Sequence, residues 1–416
     1  MRTEEQISGS TNQPTDDGSR SARAVICKET ARICAARYGR SLRAVVLTGS
    51  LARNEATFIE EGGGCKLLGD ADLFLVFHNT AREPSASAVE TTSREVESVL
   101  SEKRIIGHVG LQAVNVSYLQ RRLRHIEPFE LRHNGCVIWG DRDVLSLIPI
   151  FSADQILLED AWRLLANRIV ELLEAVTTAI EPGDAAFEDT FYRTIKLFLD
   201  MATSYLIFAG HYRPTYRQRA VALRNLADVP DQAASPFPLT PFADRVSACT
   251  RFKLERQAIA ATQADLLRDA IHFAHLLWRW ELMRLTGQNS QLCDAELMRR
   301  WMYQQPIKAR IRGWASVVRR SGAHQSWREW PRWIRLGRRA SPRYWVYSVG
   351  TEVFFHLPEF AGKGLVNAEP EMDWKELSSR LPLPNLVGSD RHTLTRLDVA
   401  ARAALNYRRL LEPTTA

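Results

Sequence analysis

Two stretches decide the fold: RAVVLTGSLAR at residues 43–53 and GDADLFLVF at residues 69–77. The apolar run 43–48 predicts a buried strand, and Gly49-Ser50 opens a predicted helix that begins at Leu51. The second stretch alternates polar and apolar residues, so it predicts a strand on which Asp70 and Asp72 share one face. Together they predict a strand, a turn, a helix and a second strand.

Each half of this pattern carries residues suited to a phosphorylated ligand. Glycine at position 49 lets a phosphate approach the backbone, and the first amides of a helix favour negative charge. Two carboxylates held side by side repel each other unless a cation lies between them. Hard oxygen ligands suit magnesium that is bound together with a triphosphate. Asp70 and Asp72 are therefore predicted to bind Mg²⁺, with room for two ions.

These residues resemble the nucleotidyltransferase superfamily, which includes DNA polymerase beta, poly(A) polymerases and aminoglycoside nucleotidyltransferases. Its signature is a strand, a Gly-Ser turn, a helix and a strand with Asp-x-Asp, and the resemblance covers residues 40 to 145. It implies attack of an acceptor on the alpha-phosphorus of a nucleoside triphosphate, with pyrophosphate leaving. It also implies catalytic roles for Asp70 and Asp72, and nucleotide binding by Gly49, Ser50 and Arg53.

Two features depart from the family pattern. The connection FIEEGGGCKLLG at residues 58–69 is longer than usual and predicts a small hairpin around its three glycines. The family's third carboxylate falls on the predicted strand GLQAVNVS, residues 110–117, where Gln112 occupies the acidic position. An amide orients a hydroxyl but cannot accept its proton as a general base. Glu55 and Asp141 are the candidate substitutes for that carboxylate.

After residue 150 the periodicity becomes helical. Apolar residues recur at helical spacing in 154–176, 187–209 and 261–285, which predicts an α-helical bundle. The fold class is thus α+β: a mixed-sheet nucleotidyltransferase-like domain at 21–150 follows a disordered N-terminus at 1–20. The helical bundle at 151–290 precedes a basic, tryptophan-rich and mostly helical region at 291–416. The family resemblance implies that Lys196 of the second helix contacts the triphosphate; alternatively, Lys196 and Asp200 form an ordinary surface pair.

Positive charge is concentrated in residues 299–343. This segment holds thirteen basic residues and one acid, an excess of twelve charges, whereas the whole chain carries only +7. Five tryptophans are interleaved with the charge: Trp301, Trp314, Trp327, Trp330 and Trp333. The composition suits an anionic partner, whether a nucleic acid, a glycan or a membrane surface. Alternatively, the tryptophans belong to the core and the arginines to a solvated face.

The overall composition is that of an ordinary globular protein, with 45% hydrophobic and 25% charged residues. Six cysteines show no Cys-x-x-Cys pair and no metal-ligand spacing, which favours a reducing compartment over a disulfide scaffold. The polar N-terminus has no secretory pattern, and no apolar run is long enough to cross a bilayer. A cytoplasmic location is therefore expected.

Three functions remain open at this point. The leading one is magnesium-dependent transfer of a nucleoside monophosphate to an unidentified acceptor: a sugar phosphate, a small antibiotic, a protein or a polynucleotide end. The alternative is a catalytically degenerate nucleotidyltransferase fold that binds a nucleotide or another anion. The retained Asp70 and Asp72 favour the first function, whereas Gln112 favours the second. In the third, the protein is a basic interaction protein and its first domain is only a scaffold.

Overall fold

The computed structural model describes residues 16–121, 124–178, 184–229, 235–288, 291–321, 323–357, 373–383 and 395–410. The chain forms two compact units. Unit 1 comprises Met1–Leu157, Ala209–Asn225 and Val246–Ala260, and unit 2 comprises Leu158–Phe208, Leu226–Arg245 and Ala261–Ala416. The division is not linear along the chain, because two later segments return to unit 1. Within the described residues, no helix is both long enough and apolar enough to span a membrane.

Unit 1 is built on a mixed sheet. Its elements in chain order are α1 (Asp16–Tyr38), β1 (Leu42–Leu47), α2 (Gly49–Ala52), β2 (Thr57–Glu61), β3 (Gly64–Phe77), α3 (Ala86–Glu102), β4 (Ile105–Asn115), α4 (Val116–Gln120), α5 (Ile126–Asn134) and β5 (Cys136–Gly140). The long strand β3 pairs antiparallel with both β2 and β1, and β5 pairs antiparallel with β1. On its other side β3 pairs in parallel with β4.

Both faces of the sheet carry a core, as the alternating strand pattern requires. On one face, Leu73 and Leu75 of β3 pack with apolar residues of α1 and α3, including Ile26 and Val96. On the other face, Phe74 and Val76 pack with residues of α4, α5 and the turn at 144–147. Asp70 and Asp72 continue the second face toward the start of β3, where both side chains are exposed.

The predicted hairpin forms. Glu61 pairs with Gly64, so the loop between β2 and β3 consists of Gly62 and Gly63. Both have positive φ, 59° and 73°, as a two-residue hairpin turn of the favoured hand requires. This hairpin extends β3 into one 14-residue strand that runs through the Asp-x-Asp sequence.

The predicted disorder at 1–20 is wrong for residues 16–20, which form the first turns of α1. This helix is ordered by packing: Ala22, Ile26 and Ile33 recur at helical spacing and are buried against the sheet. Residues 1–15 lie outside the described part of the chain.

The secondary-structure elements of unit 2 are all helices within its described residues. The remaining helices of the chain are α6 (Leu158–Thr178), α7 (Asp184–Phe208), α8 (Tyr216–Ala227), α9 (Leu239–Glu255), α10 (Gln263–Thr286), α11 (Asp294–Tyr303), α12 (Ile307–Ser321), α13 (Ala323–Gly337), α14 (Pro342–Phe355), α15 (Trp374–Ser379) and α16 (Arg396–Leu410). The three predicted bundle helices correspond to α6, α7 and α10, and the overall class, α+β with a helical C-terminal region, is confirmed. Helices α8 and α9 each run from one unit into the other.

Helix α6 is central to unit 2 and packs against α7, α10, α14 and α16. Helix α14 approaches it closely at Gly350, where a Cβ would lie 2.6 Å from Cγ2 of Val170. Trp162 of α6 is fully buried and stacks on Tyr344, with ring centroids 5.7 Å apart. Apolar burial along these faces stabilises the bundle.

Candidate functional site

Gly49 lies directly beside the Asp72 side chain. Gly49 has a φ of +67°, and a Cβ built on it would lie 2.8 Å from Oδ2 of Asp72. A hydrogen bond from the Thr48 amide to the Asp72 carbonyl, 2.9 Å long, holds the end of β1 against β3 at this level. Glycine is thus required at position 49 for two reasons, its backbone conformation and its missing side chain. The two halves of the sequence pattern therefore meet in space.

Asp70 and Asp72 lie on one face of β3, next to each other along the strand. The pairing between β3 and β4 is irregular between Lys66 and Asp70, and Gly69 within that interval has a φ of +106°. The regular register resumes at Asp70. Two exposed carboxylates on neighbouring positions of one face form an acidic surface that a cation can neutralise.

The predicted helix forms as a single turn, Gly49–Ala52, which begins at Gly49 rather than at Leu51. Asn54 adopts a positive φ of 57°, and the chain then turns into β2. The Glu55 amide donates to the Ser50 carbonyl at 2.8 Å, which closes the turn. One turn of helix supplies little dipole.

Strand β4 provides the neighbours of the two aspartates. Its parallel register places His108 opposite Asp70 and Gly110 opposite Asp72, and Gln112 follows opposite Phe74. A Cβ at Gly110 would lie 3.0 Å from Oδ1 of Asp72, so a second glycine leaves space around this carboxylate. Gln112 is half-buried on the same face. Strand β4, Ile105–Asn115, contains no carboxylate at any position.

His108 was not singled out by the sequence pattern. Its Nδ1 lies 2.7 Å from Oε1 of Glu97, a residue of α3 that also accepts a 2.9 Å hydrogen bond from the Val109 amide. The carboxylate is therefore held by the edge of β4 and in turn orients the imidazole. The His108 side chain is 59% exposed. An alternating strand with one histidine among apolar residues was the only signal in the sequence.

Arg53, predicted to bind the nucleotide, takes part in two ion pairs. Its guanidinium is 5% exposed and is paired with Glu55 at 3.0 Å and with Glu130 at 2.5 Å. It also lies over the ring of Tyr216, 5.2 Å from the centroid. These ion pairs anchor the chain that follows the Gly-Ser turn, and a contact between Arg53 and a nucleotide stays a prediction.

The same cluster ties residues 209–225 into unit 1. Glu130 of α5 accepts a 2.5 Å hydrogen bond from the Tyr212 hydroxyl and is ion-paired with Arg219. Arg219 also donates to the carbonyls of Arg213 and Pro214. We call the set Arg53, Glu55, Glu130, Tyr212 and Arg219 the buried ion cluster. Its partners are far apart in the sequence, so local patterns could not reveal it.

The charges of the buried ion cluster support one another. Burial alone would raise the pKa of Glu130, but the charges of Arg53 and Arg219 and the Tyr212 hydrogen bond bring it below its usual range. Burial alone would lower the pKa of Arg53, whereas Glu130, Tyr216 and Glu55 together raise it. Glu130 and Arg53 are therefore charged in the folded protein.

The two carboxylates considered as substitutes for a third catalytic acid are both engaged elsewhere. Glu55 is buried in the ion cluster. Asp141 pairs with Arg43 at 2.7 Å, at the opposite end of β1 from Gly49. Five or six strand residues separate these ends, about 17 to 20 Å. Asp141 therefore lies far from Asp72. It cannot take the place of the third carboxylate, and this candidate is wrong.

Lys196 lies in α7 of unit 2, with Nζ 5.5 Å from the centroid of the Tyr192 ring. Asp200, its expected surface partner, is buried and forms a 2.6 Å ion pair with Arg168 of α6. The expected surface pair of Lys196 with Asp200 is therefore wrong for Asp200, which pairs with Arg168 between two helices. A contact between Lys196 and a nucleotide stays a prediction.

The donor set for a metal is limited to the two aspartates. Within the described chain, no group of three or more His, Cys, Asp or Glu side chains is arranged to hold a metal ion. Magnesium, however, is usually held by one or two carboxylates together with substrate phosphates. Gly49 and Gly110 lie beside the Asp72 carboxylate. A Cβ at either position would fill the space next to its oxygens. Asp70 and Asp72 therefore fit a magnesium ion that is bound with a triphosphate.

The tryptophans of the basic segment belong mainly to the core. Trp301, Trp314 and Trp333 are buried, and Trp330 is exposed. Trp314 donates to the Ala340 carbonyl and Trp333 to the Pro382 carbonyl, both at 2.9 Å. The side chain of Trp327 lies outside the described residues. Three of these tryptophans therefore belong to the core, as the alternative interpretation expected.

Compared with known proteins, the chain matches no family model and no curated sequence.

Proposed function

We propose that unit 1 carries a magnesium-dependent nucleotidyltransferase site, which moves a nucleoside monophosphate from a nucleoside triphosphate to an acceptor hydroxyl. The approach of Gly49 to Asp72 is the observation that carries this proposal. It brings a Gly-Ser turn against an exposed Asp-x-Asp strand, as the superfamily resemblance requires. The two parts are fixed by β1–β3 pairing rather than by a mobile loop.

Each residue of the site has a distinct task. Asp70 and Asp72 would hold one or two magnesium ions, which neutralise the charge of the triphosphate when bound. The Ser50 hydroxyl donates to an outer phosphate oxygen, and Gly49 allows that phosphate to approach the backbone. The buried ion cluster holds Arg53, and so fixes the position of this turn.

The reaction is an in-line displacement. The acceptor oxygen forms a bond to the alpha-phosphorus, while the bond from this phosphorus to the oxygen bridging to the beta-phosphate breaks. Pyrophosphate leaves with the electron pair of that bond. Positioning of the two reactants and neutralisation of developing charge supply most of the rate.

The acceptor hydroxyl must also lose a proton, and we propose His108 as the group that receives it. It lies opposite Asp70 in the register and is oriented through Nδ1 by Glu97. Gln112 cannot accept a proton, although its amide can orient the acceptor. A neutral imidazole accepts the proton at Nε2 as the new bond forms.

Gln112 favours a second candidate function. If His108 does not serve as the base, the lack of any carboxylate on β4 leaves a site that binds a nucleotide without chemistry. This is the degenerate nucleotidyltransferase fold. The two functions share nucleotide binding and differ only in turnover.

The experiment is a pyrophosphate-release assay. Native protein receives ATP, GTP, CTP or UTP with magnesium, together with a sugar phosphate, an aminoglycoside, an unfolded protein or an RNA oligonucleotide as acceptor. We expect pyrophosphate release with at least one combination of nucleotide and acceptor. This release should be lost in Asp72→Asn. Asp154→Asn, an exposed aspartate outside the site, is the matched control and should keep full activity. Nucleotide binding without release for any acceptor would favour the degenerate fold, and release that persists in Asp72→Asn would contradict the assignment.

A further inference from the structure

Helices α12 and α13 carry large apolar side chains on their solvent side. Ile307 and Ile311 of α12 are 68% and 64% exposed, and Trp330 and Ile334 of α13 are 50% and 51% exposed. Both helices already bury another face: Trp314 and Val317 of α12, and Trp333 and Leu336 of α13. The exposed apolar residues are therefore additional to the face that packs into unit 2. Single exposed apolar residues are common, but four on one helix pair are not explained by folding.

The four side chains lie on the same side of the helix pair. The helices pack antiparallel, because Trp314 contacts Trp333 and Arg310 donates to the Arg338 carbonyl. Ile311 precedes Trp314 by three residues, just as Trp330 precedes Trp333. Equal offsets from the packed positions place side chains on the same side of two antiparallel helices. The apolar residues therefore line the seam of the pair.

Cationic side chains flank this seam. They are all exposed, and they are Lys308, Arg312 and Arg319 on α12 and Arg335, Arg338 and Arg339 on α13. Among the described residues, none of these six forms an ion pair with a carboxylate, although many other arginines of the chain do. Their positive charge is directed to solvent, beside the exposed isoleucines. We call the ten residues of the seam and its flanks the α12–α13 face.

We propose that the α12–α13 face binds the surface of an anionic lipid bilayer. Apolar side chains with cations at their sides match the boundary between acyl chains and negatively charged headgroups. Three of the four apolar residues are isoleucines, which gain free energy from entering acyl chains but have no ring to stack on a nucleotide base. This combination favours a bilayer over a nucleic acid. The inference is independent of the nucleotide site.

Co-sedimentation of the full chain with vesicles tests the proposal. One set of vesicles contains phosphatidylcholine alone, and the other contains phosphatidylcholine with phosphatidylglycerol. We expect binding to the anionic vesicles only, weakened by added salt. The double variant Ile311→Ser/Ile334→Ser and the double variant Arg312→Gln/Arg335→Gln should each lower the affinity roughly tenfold or more.

Matched controls separate this face from general effects of surface change. Ile150→Ser and Arg142→Gln alter exposed residues of unit 1 and should leave vesicle binding unchanged. All substituted positions are exposed, so the circular dichroism spectra should equal that of the native protein. Equal binding to both vesicle types, or binding unaffected by both double variants, would overturn the proposal. So would salt-sensitive capture of an RNA or DNA oligonucleotide by this face with no binding to vesicles.

Discussion

A Cβ at Gly49 would lie 2.8 Å from Oδ2 of Asp72, so the Gly-Ser turn and the Asp-x-Asp strand are in contact. This contact requires glycine for its shape as well as for its positive φ. At this level of the sheet, the Asp70 and Asp72 side chains of β3 are exposed. The account of function depends on this approach.

Gly49→Ala should disturb both stability and the site. A left-handed backbone conformation costs a non-glycine residue about 1 to 2 kcal/mol, and the added methyl must displace the Asp72 carboxylate. We expect a lower free energy of unfolding in urea and weaker nucleotide binding. Gly63→Ala is the control, since Gly63 has a similar φ of +73° with nothing within 4 Å of the added Cβ. It should lose similar stability and keep nucleotide affinity; equal loss of affinity in both variants would contradict the role of the Asp72 contact.

Glu130→Ala should destabilise unit 1 strongly. The substitution leaves Arg53 and Arg219 buried without this carboxylate, and breaking a buried ion pair costs about 3 to 5 kcal/mol. Urea denaturation measures the difference. Glu90→Ala removes an exposed pair with Arg94 and should cost about 0 to 1 kcal/mol. Similar small losses for both variants would show that the buried ion cluster does not anchor the turn.

Glu281 makes the stability of unit 2 depend on pH. Burial raises the pKa of this α10 carboxyl to about 8, only partly opposed by the hydrogen bond from Ser204. Between the ordinary value of 4.5 and about 8, the folded protein keeps a proton that the unfolded chain has released. The stability contributed by this group is therefore complete below 4.5 and declines as the pH rises to about 8, by about 5 kcal/mol in total.

Glu281→Gln isolates this contribution. The amide is neutral at every pH and can still accept the Ser204 hydrogen bond. Urea denaturation at about pH 5.5 and about pH 8 should show that the native protein loses more stability between the two conditions than the variant does. Parallel losses in the two proteins would mean that Glu281 is not protonated in the fold.

His108→Gln should affect turnover and not nucleotide binding. Loss of a general base typically lowers the rate by about 10² to 10⁴-fold. We expect a decrease of this size in pyrophosphate release, with an unchanged apparent affinity for the triphosphate. His78→Gln alters an exposed histidine just beyond the other end of β3 and should leave both quantities unchanged. A His108 variant with native turnover would remove this residue from the proposed mechanism.

The parts of the fold that repeat a local pattern could be predicted from the sequence. Strand β1, the hairpin of β2 and β3, and helices α6, α7 and α10 follow from runs of alternating or helical spacing. The length of α2 could not be predicted, because Asn54 ends it through a positive φ that the pattern does not encode.

Only the site residues that lie close together in the sequence could be predicted. Gly49, Asp70 and Asp72 lie in two short segments that a sequence can display together. Glu130, the ion-pair partner of Arg53, lies 77 residues away in the sequence. Glu97, which contacts the imidazole of His108, lies eleven residues away. Such pairs depend on strand register and helix packing, which determine where each side chain ends. They become visible only when the sheet is assembled.

Thermal-shift titration with the four nucleoside triphosphates, with and without magnesium, tests the central claim most directly. A ligand that binds only the folded state must raise the melting temperature. We predict a magnesium-dependent rise with at least one triphosphate in the native protein, and its loss in Asp70→Asn/Asp72→Asn, with each protein compared with its own melting temperature without ligand. No rise with any triphosphate, or an equal rise in the double variant, would contradict the account.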